Sequence, residues 1–114
     1  MDERLYLIDL YDIYGELLDD SKKEYFEYYY FDNLSLGEIS ENLNVSRNAV
    51  HKSLKVTEEK LKFYEEKLEL YKKRKEINSI INDIKDKELK QKLENISWWD
   101  YVWKYFRKTA RCNT

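Results

Sequence analysis

The stretch Ser35–Lys55, "SLGEISENLNVSRNAVHKSLK", reads as two short amphipathic runs around a break at Asn44. Ser35 and Glu38 have the capping-box spacing, in which a hydroxyl and a carboxylate each satisfy a free backbone donor at a helix start. The run they open turns Leu36, Ile39 and Leu43 to one side. Asn44 holds the turn position usually given to glycine, and asparagine tolerates left-handed backbone better than most residues. Ser46 caps the next run, whose buried pair is Val50 and Leu54. Arg47, Asn48, His51, Lys52 and Lys55 fall on its other faces. The spacing therefore predicts a helix-turn-helix over 35–55, with the second run as a recognition helix.

Upstream, Leu5, Ile8, Tyr11 or Leu10, Tyr14, and Leu17 or Leu18 recur at helical spacing and predict a first helix. Ser21 and Glu24 form a second capping-box pattern, which opens a helix through "KKEYFEYYYF". Its tyrosines resemble a stacking platform for bases, but aromatic residues at helical spacing are more often core, so Tyr25, Tyr28 or Tyr29, and Phe31 are assigned to packing. Downstream, Leu54, Leu61, Tyr64, Leu68 and Tyr71 follow a heptad with Thr57 between the first two. No proline or glycine interrupts it, so the recognition helix is expected to continue as a rod, with a change of apolar phase that suggests a bend, a new helix or a change of packing partner near Lys73. A further helix is expected over about 86–95. The seam Leu61, Tyr64, Leu68 and Tyr71 suits a homodimer and equally suits packing on the chain's own first helix.

High charge, no proline and two glycines among 114 residues mark long helices, and the class expected is all-α. The organisation expected is a helical bundle over 1–58, a helical extension over 59–96 and an aromatic-basic tail over 97–114. In that tail Trp98, Trp99, Trp103, Tyr105 and Phe106 accompany Lys104, Arg107, Lys108 and Arg111. Such a segment suits a membrane surface, a partner groove or packing back on the domain, and the last is favoured. With one cysteine, no apolar span and no leader-like start, a cytoplasmic location is expected. One histidine, one cysteine and no glycine-rich phosphate loop leave no catalytic constellation, no metal set and no cofactor motif. The net charge of -2 is uneven: residues 1–34 carry 10 acids and 3 bases, 35–75 carry 7 and 10, and 76–114 carry 6 and 8. A polyanion would meet the middle or the end of the chain.

Over Leu36–Leu54, "LGEISENLNVSRNAVHKSL" resembles the helix-turn-helix of sigma factor region four, with Ile39, Leu43, Val45, Ser46, Val50 and Leu54 at core and cap positions. Across about Leu5–Lys75 the chain resembles the small bacterial YlxM family, also called UPF0122. The resemblance implies a winged-helix-type bundle without a wing, like sigma region four, followed by a long helix or helices. It also implies an accessory role in the signal recognition particle (SRP) pathway, with the particle's RNA or its GTPase as partner. The outward face departs from the family pattern at Asn48 and near His51.

A DNA-binding regulator is the alternative. Ser46, Arg47, Asn48, His51, Lys52 and Lys55 would then face the groove, with Arg47 on guanine or phosphate, Asn48 on adenine, and the two lysines on the backbone.

Overall fold

A computed structural model describes residues 2–97, in which every regular element is helical. These are α1 (Glu3–Tyr14), a 3-10 turn (Gly15–Leu17), α2 (Asp20–Tyr30), α3 (Leu36–Leu43), α4 (Arg47–Leu68), α5 (Leu70–Asn82) and α6 (Lys87–Ser97). The fold is all-α, and the chain divides into two compact units at Glu69.

In the first unit α1, α2 and α3 all pack on α4. Asp2 caps α1 by accepting the Arg4 N–H at 2.9 Å, and Leu7, Leu10, Tyr11 and Tyr14 form its buried face, continued by Leu18. Of the positions the spacing suggested, Leu10, Tyr11, Tyr14 and Leu18 are buried, whereas Leu5 is exposed and Leu7 takes the inward place at the start of the helix. Gly15 is buried under Tyr11, where a Cβ would lie 3.2 Å from a ring carbon. The expected Ser21 cap is also corrected. Asp19 caps α2 instead, accepting the Lys22 N–H at 2.8 Å and the Lys22 ammonium at 2.7 Å. A carboxylate there also meets the positive end of the helix dipole, which a serine hydroxyl does not exploit. The Lys22 side-chain bond holds the Asp19 carboxyl below its ordinary range.

The tyrosine-rich helix is core, with its most buried positions at Phe26 and Tyr30. Phe26 is sandwiched by Tyr11 and Tyr30, each with ring centroids 4.3 Å away. Each buried tyrosine of this region also donates its hydroxyl to a half-buried glutamate on another helix. Tyr11 reaches Glu27, Tyr14 reaches Glu65 at 2.6 Å and Tyr30 reaches Glu58 at 2.8 Å. One such latch thus ties each pair among α1, α2 and α4. Burial, reinforced by Glu58, pushes the Tyr30 hydroxyl well above its ordinary pKa.

Arg4 adds a clamp between the start of α1 and the end of α2. Its guanidinium donates to the carbonyls of Tyr29 and Tyr30 at 3.2 and 3.0 Å and to the Asn33 side chain at 2.7 Å, and it lies over both tyrosine rings.

The expected rod is interrupted. Helix α4 runs 22 residues and ends where Glu69 takes left-handed backbone, φ 54 and ψ 30, four residues before the break anticipated at Lys73. The bundle therefore reaches Glu69, beyond the expected edge at residue 58, because Leu61 is fully buried and Glu65 is latched to α1. Thr57 is buried as well, its hydroxyl donating to the Ser53 carbonyl at 2.9 Å.

The second unit, as described, is the pair α5 and α6, packed on each other. Asp86 caps α6 by accepting the Glu88 and Leu89 N–H groups, and Tyr71 and Ile81 are the buried residues of α5. The expected aromatic tail lies outside the described residues.

Candidate nucleic-acid interface

Helices α3 and α4 are set by local signals in the backbone between them. Ser35 accepts the Glu38 N–H and Glu38 accepts the Ser35 N–H, both at 3.1 Å, closing the capping box. The bond from the Ser35 backbone holds the Glu38 carboxyl below its ordinary range. At the other end Asn44 adopts φ 55 and ψ 47, while its N–H reaches Glu41 and the Val45 N–H reaches Ser40 at 3.0 Å. That is a Schellman motif built on asparagine. Ser46 then caps α4 by accepting the Ala49 N–H at 3.0 Å. Ile39, Val50 and Leu54 form the buried seam, with Tyr25, Tyr28, Tyr29, Leu34, Leu36 and Leu43 packed around it. Val45, which the resemblance placed at a core position, is exposed.

With that seam fixed, the first turns of α4 present Arg47, Asn48, His51, Lys52 and Lys55 to solvent. Their side chains form no hydrogen bond or ion pair among the described residues. Ser46 is exposed too, but its hydroxyl is committed to the cap. The Arg47 guanidinium lies against α3, where a Cβ on Gly37 would come within 3.2 Å of it. Gly37 leaves that space open. The sequence alone gave no reason to single it out.

The proposed dimer residues do not form one exposed seam. Leu61 is fully buried in its own unit, Tyr64 is half-buried beside Tyr14 at 5.9 Å between ring centroids, and Tyr71 is buried on α5 beyond the Glu69 break. Leu68 alone of the four is exposed. Part of the heptad thus serves the alternative use, packing on the first helix of the same chain.

Division at Glu69 also redraws the charge. Residues 1–69 carry 17 acids and 9 bases, whereas residues 70–114 carry 6 and 12. The run Lys72–Lys75 thus belongs to the second unit, apart from the recognition helix. Among the described residues no cluster of three or more histidine, cysteine or acidic side chains is placed to hold a metal, and no helix is long and apolar enough to cross a membrane.

The sequence matches a family described as "Putative helix-turn-helix protein, YlxM / p13 like" over residues 1–98. A UPF0122 protein of Mycoplasma capricolum is 38% identical over 106 residues, covering 89% of this chain and 94% of the relative. A probable UPF0122 protein of Mycoplasma mycoides matches with the same identity and coverage. A UPF0122 protein of Caldanaerobacter subterraneus is 51% identical over 58 residues, covering 51% of this chain and 50% of the relative. The family match reaches past α4 through α5 and α6, beyond the region that first suggested it. With its two capped helices, the left-handed asparagine between them and a match over nearly the whole described chain, this protein belongs to the UPF0122 family of YlxM/p13-like helix-turn-helix proteins.

Proposed function

We propose that this chain is an accessory factor of the SRP pathway that binds the particle's RNA through the exposed face of α4. The observation carrying the nucleic-acid part is the set of unpaired cations Arg47, Lys52 and Lys55, with Asn48 and His51 beside them, on the second helix of a helix-turn-helix. A rigid helix edged with cations follows an A-form backbone by shape, without a sequence code. The SRP assignment rests on the resemblance to the YlxM family, and the particle's GTPase is the other partner class it supports.

Duplex DNA is the second reading, favoured by the helix-turn-helix itself, whose second helix suits the major groove. Three cations make few phosphate contacts, so binding to either polymer is expected to be weak and to fade as salt rises. Association of two chains would double those contacts.

Fluorescence anisotropy with labelled SRP RNA and random duplex DNA, at low and physiological salt, tests the assignment. Preferential RNA binding that disappears in Arg47→Ala/Lys52→Ala supports it. Preference for duplex DNA moves the protein to the regulator class, and silence on both polymers directs the search to the GTPase.

A further inference from the structure

We propose that a second copy of this chain docks on the outward side of α4, through Val56 and Phe63 and the charges that flank them, with the two α4 helices parallel. Helix α4 is apolar on two sides. One side, Val50, Leu54, Thr57 and Leu61, is buried where α1, α2 and α3 pack on it. The other carries Val56 and Phe63, which are 42% and 53% exposed and stand seven residues apart, two turns along one face. A single apolar side is enough to seat a helix on its own bundle, so the second is left for a further helix.

Phe63 is ordered in advance. Its ring stands edge-on to Tyr64 with centroids 6.1 Å apart, and Lys67 Nζ lies 5.6 Å from its centroid. Tyr64 is itself half-buried beside Tyr14, so the Phe63 ring has little freedom left to lose when it is covered.

Charge selects both the occupant and its direction. Glu59 and Glu66 run along one edge of the stripe and Lys60 and Lys67 along the other, all four exposed and each pair again seven residues apart. A two-fold axis running along α4 brings the acidic edge of each copy against the basic edge of the other, Glu59 beside Lys60 of the second copy and Glu66 beside Lys67 of the second copy. Val56 and Phe63 then each meet their own counterpart on the axis. Antiparallel helices would instead set acid against acid and base against base. The stripe is therefore complementary to itself in the parallel arrangement, which is what a second copy requires and a foreign partner does not. None of the residues assigned to nucleic acid takes part, so the two proposals fail separately.

The stripe is short and belongs with small, transient interfaces, so association is followed by sedimentation equilibrium of the full chain from micromolar to near-millimolar concentration. Reductant is present so that Cys112 cannot cross-link the copies. The variants are Phe63→Ala, Glu59→Lys/Glu66→Lys and Lys60→Glu/Lys67→Glu, all at exposed positions, with circular dichroism to check that helix content is kept. Wild type is expected to form a dimer that Phe63→Ala weakens at least about tenfold. Each double charge variant is expected to weaken self-association, and an equimolar mixture of the two to restore it, because one then presents only bases and the other only acids along the stripe.

A wild-type chain that stays monomeric throughout overturns the proposal, and a lowered thermal midpoint in Phe63→Ala would then show that the ring is covered within its own chain. A dimer indifferent to Phe63→Ala places the interface elsewhere and overturns it too. Charge variants that associate like wild type, or whose mixture shows no recovery, overturn the parallel pairing of the two edges.

Discussion

The helix-turn-helix and the two helices before it are held by different physics. Between α3 and α4 the work is local: a capping box, a left-handed asparagine and a serine cap lie within a dozen residues, over an aliphatic seam of Ile39, Val50 and Leu54. Between α1, α2 and α4 it is long-range and polar-aromatic: a stacked Tyr11–Phe26–Tyr30 column, three tyrosine-to-glutamate latches and the Arg4 clamp. The first kind of order is written in neighbouring letters. The second exists only once distant helices have met.

Three substitutions sharpen that contrast. The largest effect is expected from Phe26→Ala, which empties the centre of the aromatic column and should cost about 3–5 kcal/mol by urea denaturation. A loss under about 1 kcal/mol would show that the neighbours close over the gap and that the column contributes little to stability.

Next is Arg4→Ala, which leaves the last carbonyls of α2 without their charged donor. About 1.5–3 kcal/mol is expected, with Arg4→Lys recovering only part of it, because one ammonium cannot reproduce the fork. Equal stability of Arg4→Lys and wild type would reduce the clamp to a simple charge effect.

The smallest is Tyr30→Phe, at about 1 kcal/mol near neutral pH, and its pH dependence is the informative part. The folded state favours the protonated hydroxyl, so this stabilisation is complete below the ordinary tyrosine value of 10.0 and is lost as pH rises beyond it. Denaturation midpoints of wild type and Tyr30→Phe should therefore converge above that pH. Midpoints that stay parallel through the alkaline range would mean that neither burial nor the Glu58 latch distinguishes protonated from ionised Tyr30.

The same division explains what the sequence disclosed. Ser35, Glu38, Asn44 and Ser46 were legible because each acts on a backbone group within a few residues of itself. Ser21 misled because Asp19, two residues earlier, supplies a charged cap and the hydroxyl is left inside the helix. Leu5 misled because helical spacing fixes a period but not which of several apolar residues faces inward, and here Leu7, Leu10 and Tyr14 meet the rest of the bundle. Glu69 carried no breaking signal, since neither glycine nor proline marks it. At the candidate interface the outward set on α4 followed from its buried partners, Val50 and Leu54. The weight of positive charge beyond Glu69 emerged only when the packing boundary replaced an arbitrary division of the chain.

The Tyr30–Glu58 latch also constrains the order in which this chain can lose it. Replacing the tyrosine first strands a half-buried carboxylate, whereas replacing the glutamate first strands only a neutral hydroxyl, the less costly group to leave without its partner. Exchange of the pair for two apolar residues is thus least costly in one order, through an intermediate that keeps the tyrosine.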